Sequence, residues 1–206
     1  MGSGKTTHSK LLVERLKEEF PKKEVVWTRE PGGCEVAGAI RKIIKSNEFE
    51  EEIESVAETY LFAAAIAQTL RKVVGPVLKR GGIVVSDRSY ATSVAYQGLG
   101  KGLDPKHVLE INKIAVDKIK PDLIFFLKLM PGESLSRTRD MGKDKFERLD
   151  VSFFAKAMDG YAYAKKTFKG KCVDVDASKT IGDVHEKVWK SMVELLRDKK
   201  FFPRRP

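Results

Sequence analysis

Gly2-Ser3-Gly4-Lys5-Thr6-Thr7 carries the densest chemistry in this chain, and it runs straight into an apolar repeat at Leu11, Leu12, Leu16 and Phe20 with helical spacing. Gly-Lys-Thr opening a helix matches the end of the phosphate-loop pattern G-x-x-x-x-G-K-[ST]. In that arrangement the backbone N–H groups of a glycine-rich turn and of the helix N-terminus close round a phosphate. Lys5 would reach the terminal oxygens of a polyphosphate such as ATP, and the Thr6 hydroxyl would bind Mg²⁺. Gly2, Ser3, Gly4 and Thr7 supply the rest of the cradle. A Gly-Ser run at a terminus also occurs as plain flexible chain; Gly-Lys-Thr-Thr leading a helix favours phosphate. The second group is Ile83-Val-Val-Ser-Asp87-Arg88. An Asp ending an apolar strand can present its carboxylate to Mg²⁺, and an Arg beside it can grip phosphate as a planar fork. A strand-end Asp is also an ordinary turn residue; its coincidence with the loop is what assigns it a role.

Such groups need a rigid frame, and the sequence supplies one. Apolar runs at Glu24–Thr28, Gly82–Val85, Asp122–Leu129 and Lys171–Ala177 read as strands buried on both faces of a parallel sheet. Helices are expected from Leu11 to Phe20, from Ile53 to Lys79, after the Asp104-Pro105 cap, and from Ile181 to Asp198. Strands alternating with helices define a doubly wound α/β sheet with helices on both faces. With 206 residues and no internal repeat or linker, residues 1–206 read as a single domain. The leading Gly of the loop pattern would fall ahead of Met1, and no strand precedes the loop. The expectation is therefore a natural start about ten residues upstream, and an open slot in the sheet of the chain as it stands.

Composition narrows the function classes. Lys and Arg number 39 against 29 Asp and Glu, a formal charge of +10. That surplus suits nucleic acid or small polyphosphates. It is spread along the chain apart from Arg137–Arg148 and Arg204-Arg205, with no aromatic–basic repeat, so polyphosphate is favoured and nucleic acid is not expected. The longest unbroken apolar run, Leu61–Ala67, is far short of about 20 residues, and no membrane span or secretory leader is expected. Cys34 and Cys172 are too far apart in sequence for a disulfide framework, and His8, His107 and His185 have no metal-ligand spacing. A cytosolic enzyme fits.

Four blocks in order make the pattern specific: Gly-Ser-Gly-Lys-Thr-Thr from Gly2, Thr-Arg-Glu-Pro-Gly-Gly from Thr28, Ser-Asp-Arg-Ser-Tyr-Ala-Thr-Ser-Val-Ala-Tyr-Gln-Gly from Ser86, and Pro-Asp-Leu-Ile-Phe-Phe-Leu from Pro121. Over essentially its whole length the chain resembles the thymidylate kinases, within the P-loop nucleoside monophosphate kinases. The resemblance implies a sheet of about five strands, the first missing here, and a small lid at about 136–149. It implies transfer of the ATP γ-phosphoryl to dTMP with Mg²⁺, in a cytoplasmic homodimer. It places Arg41 and Arg88 on the acceptor phosphate and Glu30 at the acceptor site. Phe62 stacks on thymine, Ser93 and Gln97 line the base site, and Tyr96 crowds out a ribose 2′-hydroxyl. Thr6 and Asp87 serve the metal, and Lys5, Arg88 and a lid arginine are catalytic. Arg139 is the choice for that arginine, with Arg137 and Lys143 as alternatives. From the residues alone, Phe62 reads equally as core filling and the lid cations as a solvated helix end.

Two positions depart from the family pattern. Met1 stands where the family carries an Asp toward the sugar 3′-hydroxyl. Ile66 stands where it carries an Arg that bonds the thymine carbonyl, with Ala65 before it. Loss of that charge-assisted bond is worth roughly 1.5–3 kcal/mol of base recognition. Either Gln68 or Gln97 replaces the donor, or another deoxynucleotide such as dUMP is accepted. A nucleotide-binding protein with impaired catalysis is the further alternative if the chain starts at Met1.

Overall fold

The computed structural model describes residues 2–129, 151–199 and 201. Its strands are β1 (Val25–Arg29), β2 (Ile83–Asp87), β3 (Leu123–Lys128) and β4 (Lys171–Asp176), the four apolar runs with ends moved by one or two residues. β1 pairs parallel with β2, Val25 opposite Ile83, and β3 pairs parallel with β4, Leu123 opposite Lys171. Both pairs point the same way. Phe201 meets Phe20 edge-on at 6.0 Å, Lys23 just ahead of β1 lies 4.7 Å from the Phe201 ring, and Lys199 donates to Asp122 just ahead of β3 at 2.5 Å. The starts of β1 and β3 thus share one end of the molecule.

The helices are α1 (Lys5–Glu19), α2 (Glu35–Lys45), α3 (Ser55–Thr69), α4 (Gly75–Lys79), α5 (Tyr90–Ser93), α6 (Pro105–Val116), α7 (Val151–Thr167) and α8 (Ile181–Asp198). On one face of the strands Leu12, Val13 and Leu16 of α1 and Val184, Val188, Trp189, Met192 and Leu196 of α8 share a core with Val25, Ile83 and Val175. On the other, Val84 packs against the cluster of Ala63, Ile66, Leu70, Val74, Ala115 and Val116, and the Phe126 ring meets Tyr161 of α7 at 6.1 Å. Alternate residues of β2 therefore enter different cores, which is why its sequence is continuously apolar.

The long helix expected over Ile53–Lys79 is present but not uniform. α3 continues through a π-helical turn, Leu70–Val74, into α4. Pro76 has no N–H to give, and the ladder slips so that the Gly75 N–H donates to Leu70 O. By length and mean hydropathy (1.3) Ser55–Lys79 could cross a membrane. Here it is a core helix, with Phe62, Ala63, Ala65, Ile66 and Thr69 buried against neighbouring elements. α2 and α7 were not expected from sequence. In α7, Gly160 takes a place in the buried stripe with Phe153, Ala157 and Ala164, where a Cβ would lie 2.6 Å from Ala95 Cα.

Candidate active site

The phosphate loop is set by its glycines. Gly2 (φ 65°) and Gly4 (φ 75°) occupy the left-handed region that residues with a Cβ rarely adopt. Gly4 caps α1, its carbonyl accepting from the His8 N–H at 2.9 Å. The first N–H groups of α1 have no intrahelical partner and point out of its N-terminus, an anion-binding arrangement. Ser3 is buried, and Lys5 Nζ donates to its hydroxyl at 3.0 Å. Burial, then the Arg88 charge, lower the Lys5 pKa to about 7, against the opposing pull of Asp87. An ammonium so disfavoured gains most when a polyphosphate arrives.

β2 delivers Asp87 to the same place. Thr6 Oγ1 donates to Asp87 Oδ2 at 2.5 Å, while Asp87 Oδ1 is buried with no hydrogen-bond partner. An exposed threonine hydroxyl beside a buried carboxylate whose second oxygen has unspent lone pairs is a donor set suited to a hard divalent cation. Arg88 follows with φ 81°, a left-handed backbone that a bulky residue adopts only under constraint. Its guanidinium sits 5.7 Å from the Tyr96 ring centroid, and Nη1 is buried without a partner. Burial works against its charge, yet Tyr96, Tyr161 and Asp87 together raise its pKa above the ordinary value. The fork is thus strained into place with a donor unspent.

The turn after β1 supplies the third wall. The Glu30 N–H donates to Asp87 O at 3.1 Å, tying the ends of β1 and β2, and the Glu30–Pro31 peptide is cis. At Gly33 a Cβ would lie 2.2 Å from Thr28 Oγ1 and 2.4 Å from Thr69 Cγ2, so the turn seats directly on α3. Arg41 of α2 donates to Pro31 O at 3.0 Å. Burial pushes the Glu30 carboxyl up to about 8. A carboxyl whose pKa is raised on folding binds more protons folded than unfolded, so its contribution to stability falls as pH rises from about 4.5 to about 8. Glu30→Gln is expected to remove that slope. Urea midpoints at pH 5, 7 and 9 should show little change at pH 5 and a stabilised variant at pH 9; a parallel shift at every pH would contradict this.

The base-side residues are gathered but tightly held. Phe62 is 6% exposed and packs with Ile44, Ala95, Tyr96 and Phe153. Tyr96 stands edge-on to Phe153 at 5.3 Å and to Tyr161 at 6.3 Å. Ser93 Oγ accepts from Asn112 Nδ2 at 3.3 Å. Gln97 is fully buried, its Nε2 donating to Glu58 Oε1 at 2.8 Å, while Lys101 Nζ donates to Glu58 Oε2 at 2.7 Å. Gln97 therefore has one of its two amide N–H groups engaged and offers Oε1, which takes no bond, as an acceptor. Ile66 is 1% exposed and lies in the α3–α6 core with Ala115 and Val116. Ile66→Arg, which introduces the residue that the resemblance implies at this position, is accordingly expected to destabilise by roughly 3 kcal/mol through an unpaired buried charge. A chemical-denaturation midpoint unchanged by this substitution would show that the side chain reaches the base site instead.

Lys5, Thr6, Asp87, Arg88 and Glu30 thus converge, with Tyr96 beside them, and Arg41 is tied to the adjoining turn. Arg137, Arg139 and Lys143, with the lid, lie outside the described residues. Two participants escape sequence reading. Tyr161 of α7 hydrogen-bonds Arg88, and Glu58 of α3 holds Gln97. A Tyr and a Glu on long helices carry no local signal of such contacts.

A phosphate loop opening a helix, beside a parallel strand that ends in Asp-Arg, defines a P-loop phosphotransferase. The thymidylate kinase family model matches residues 2–188. The chain is 38% identical over 197 residues to the thymidylate kinase of Caldicellulosiruptor saccharolyticus, covering 95% of this chain and 93% of that one. It is 36% identical over 201 residues to that of Mycoplasma mobile, covering 95% of each. The crystal structure of thymidylate kinase from Ehrlichia chaffeensis superposes with a TM-score of 0.74 at 28% identity, covering 93% of both chains. The chain belongs to the thymidylate kinase family.

Proposed function

We propose that this chain transfers the γ-phosphoryl of ATP to the 5′-phosphate of dTMP, giving dTDP and ADP, with Mg²⁺ at Thr6 and Asp87. The convergence of Lys5, Asp87 and Arg88 on the α1 N-terminus carries the reading. The loop N–H groups hold the ATP phosphates, and Lys5, mostly neutral at pH 8 before binding, becomes charged against them. Thr6 and the unspent Asp87 Oδ1 would hold Mg²⁺, directly or through water, and the ion would supply positive charge against the phosphates. Arg88 holds the acceptor phosphate in line, with its free Nη1 donor, and Arg41 assists from α2. Phe62 and Tyr96 bound the thymine and sugar, Ser93 and Gln97 the base edge, and Glu30 the acceptor site. Arg139 neutralises the transferring phosphoryl from the lid.

The enzyme acts in the cytoplasm as a homodimer. Val56 and Tyr60 on α3 and Ile114 on α6, the last 79% exposed, support that assembly, since they leave apolar surface on packed neighbouring helices. The deciding experiment is product formation from Mg-ATP with dTMP, dUMP, dCMP and AMP in parallel. Turnover at least about tenfold better with dTMP than with any other acceptor is the expected outcome. Equal turnover of dUMP would overturn thymine selectivity, and turnover with none would overturn the activity of this chain.

A further inference from the structure

Glu58 has no exposed surface, and a carboxylate that deep is kept only where its oxygens are paired. It stands one helical turn ahead of Phe62, on the same side of α3. Its two oxygens have different partners. Oε1 accepts from Gln97 Nε2 at 2.8 Å, and Oε2 accepts from Lys101 Nζ at 2.7 Å. Lys101, its side chain 16% exposed, is anchored by its own N–H, which donates to Tyr96 O at 2.8 Å. A carboxylate ion-paired in this way only accepts, so Gln97 must turn its nitrogen toward Glu58. An amide is nearly symmetric in outline, and packing alone would leave two orientations open. Here charge chooses one. The result is felt at the opposite end of the amide, where Oε1 is buried and takes no hydrogen bond. A buried acceptor left unspent is costly unless an incoming group supplies its donor.

We infer that Glu58 and Lys101 are positioning residues for base selection, holding Gln97 so that its carbonyl oxygen meets the acceptor base. The inference rests on the dTMP reading and turns it into a chemical rule. The base must carry a hydrogen on the ring nitrogen that it offers to Oε1. Thymine and uracil do, at N3. Cytosine has a lone pair there, and two lone pairs would face one another with no proton between them. The rule is blind to the C5 methyl group, so preference between dTMP and dUMP comes from other contacts. Ile66, 1% exposed in the α3–α6 core and with no polar atom in its side chain, adds no donor that could read the base carbonyls instead.

Glu58→Gln conserves shape and reverses the rule. The Lys101 ammonium only donates, so it keeps the oxygen of the new amide and leaves its nitrogen facing Gln97. Gln97 then turns and presents N–H to the base. The experiment measures kcat/KM and, by titration calorimetry, dissociation constants for dTMP, dUMP and dCMP on the unsubstituted chain and two variants. Glu58→Gln is expected to cut the preference for dTMP over dCMP at least about tenfold, while the dTMP-to-dUMP ratio stays within about threefold. Lys101→Met should cut the same preference at least about threefold, because a buried carboxylate without its cation takes up a proton and can then donate to Gln97. At a partly exposed side chain, it decides the matter should Glu58→Gln not fold. A loss shared equally by all three acceptors would mark a merely structural role and overturn the inference. An unsubstituted chain that binds dTMP no better than dCMP would overturn the dTMP reading along with it. A preference there that survives both variants would overturn only the part given to Glu58 and Lys101.

Discussion

Replacing Lys5 by methionine is expected to lower kcat about 10²- to 10³-fold while making the free protein more stable. The loss follows from removing a preorganised cation aimed at phosphate oxygens in a dry site, a term of about 3–4 kcal/mol for a single donor. The gain follows from burial. Lys5 has its pKa lowered to about 7, chiefly by desolvation and secondly by Arg88, so below pH 7 the folded protein holds a charged amine where it is least favoured. The folded state then binds fewer protons than the unfolded one between about 7 and 10.5, and stability rises with pH across that window. Methionine is therefore expected to stabilise most at pH 6 and progressively less towards pH 10. A second readout separates this from simple repacking. At pH 8 a group of pKa about 7 is roughly 90% neutral, so ATP binding should take up close to one proton. Calorimetry in buffers of different ionisation enthalpy would measure it, and Lys5→Met should abolish it. Binding without proton uptake in the unsubstituted chain would refute the role given to Lys5.

Arg88→Lys is expected to lower kcat/KM for dTMP at least about 10²-fold, with KM for dTMP rising and KM for ATP little changed. Charge is conserved, so the loss isolates geometry. The guanidinium is fixed by Tyr96 and Tyr161 and keeps one buried Nη1 donor free. A lysine ammonium cannot place two parallel donors on one phosphate, and its flexible stem forfeits the positioning of the acceptor that an in-line transfer requires. The left-handed backbone at φ 81° adds a control. Lysine inherits the same strain, so the fold should keep its denaturation midpoint within about 1 kcal/mol apart from the lost tyrosine contacts. An Arg88→Lys enzyme with unaltered kcat/KM would mean that the acceptor phosphate is held elsewhere, with Arg41 the first residue to examine.

The sequence by itself determined the four strands, the helices α1, α3, α6 and α8, and the identity of the chemical groups. Apolar runs bounded by Gly, Pro or Asp located the four strands, because a strand buried on two faces has no polar positions to confuse the pattern. Gly-Lys-Thr at the head of α1 and Asp-Arg at the end of β2 named the phosphate site, because a backbone nest and a strand-end carboxylate are local features with local signatures. The tertiary structure decided which of those groups have capacity left. Whether Gln97 can donate depends on Glu58, thirty-nine residues away, and whether Ile66 faces base or core depends on how α3 rolls against α6. The lowered Lys5 and raised Glu30 pKa values arise chiefly from desolvation, which exists only once helices and strands have closed around them. α7 escaped reading because Gly160 stands in its buried stripe, and the need for glycine there is visible only against Ala95. Periodicity and motif are properties of neighbours in the chain; burial, proton affinity and unspent hydrogen bonds belong to neighbours in space.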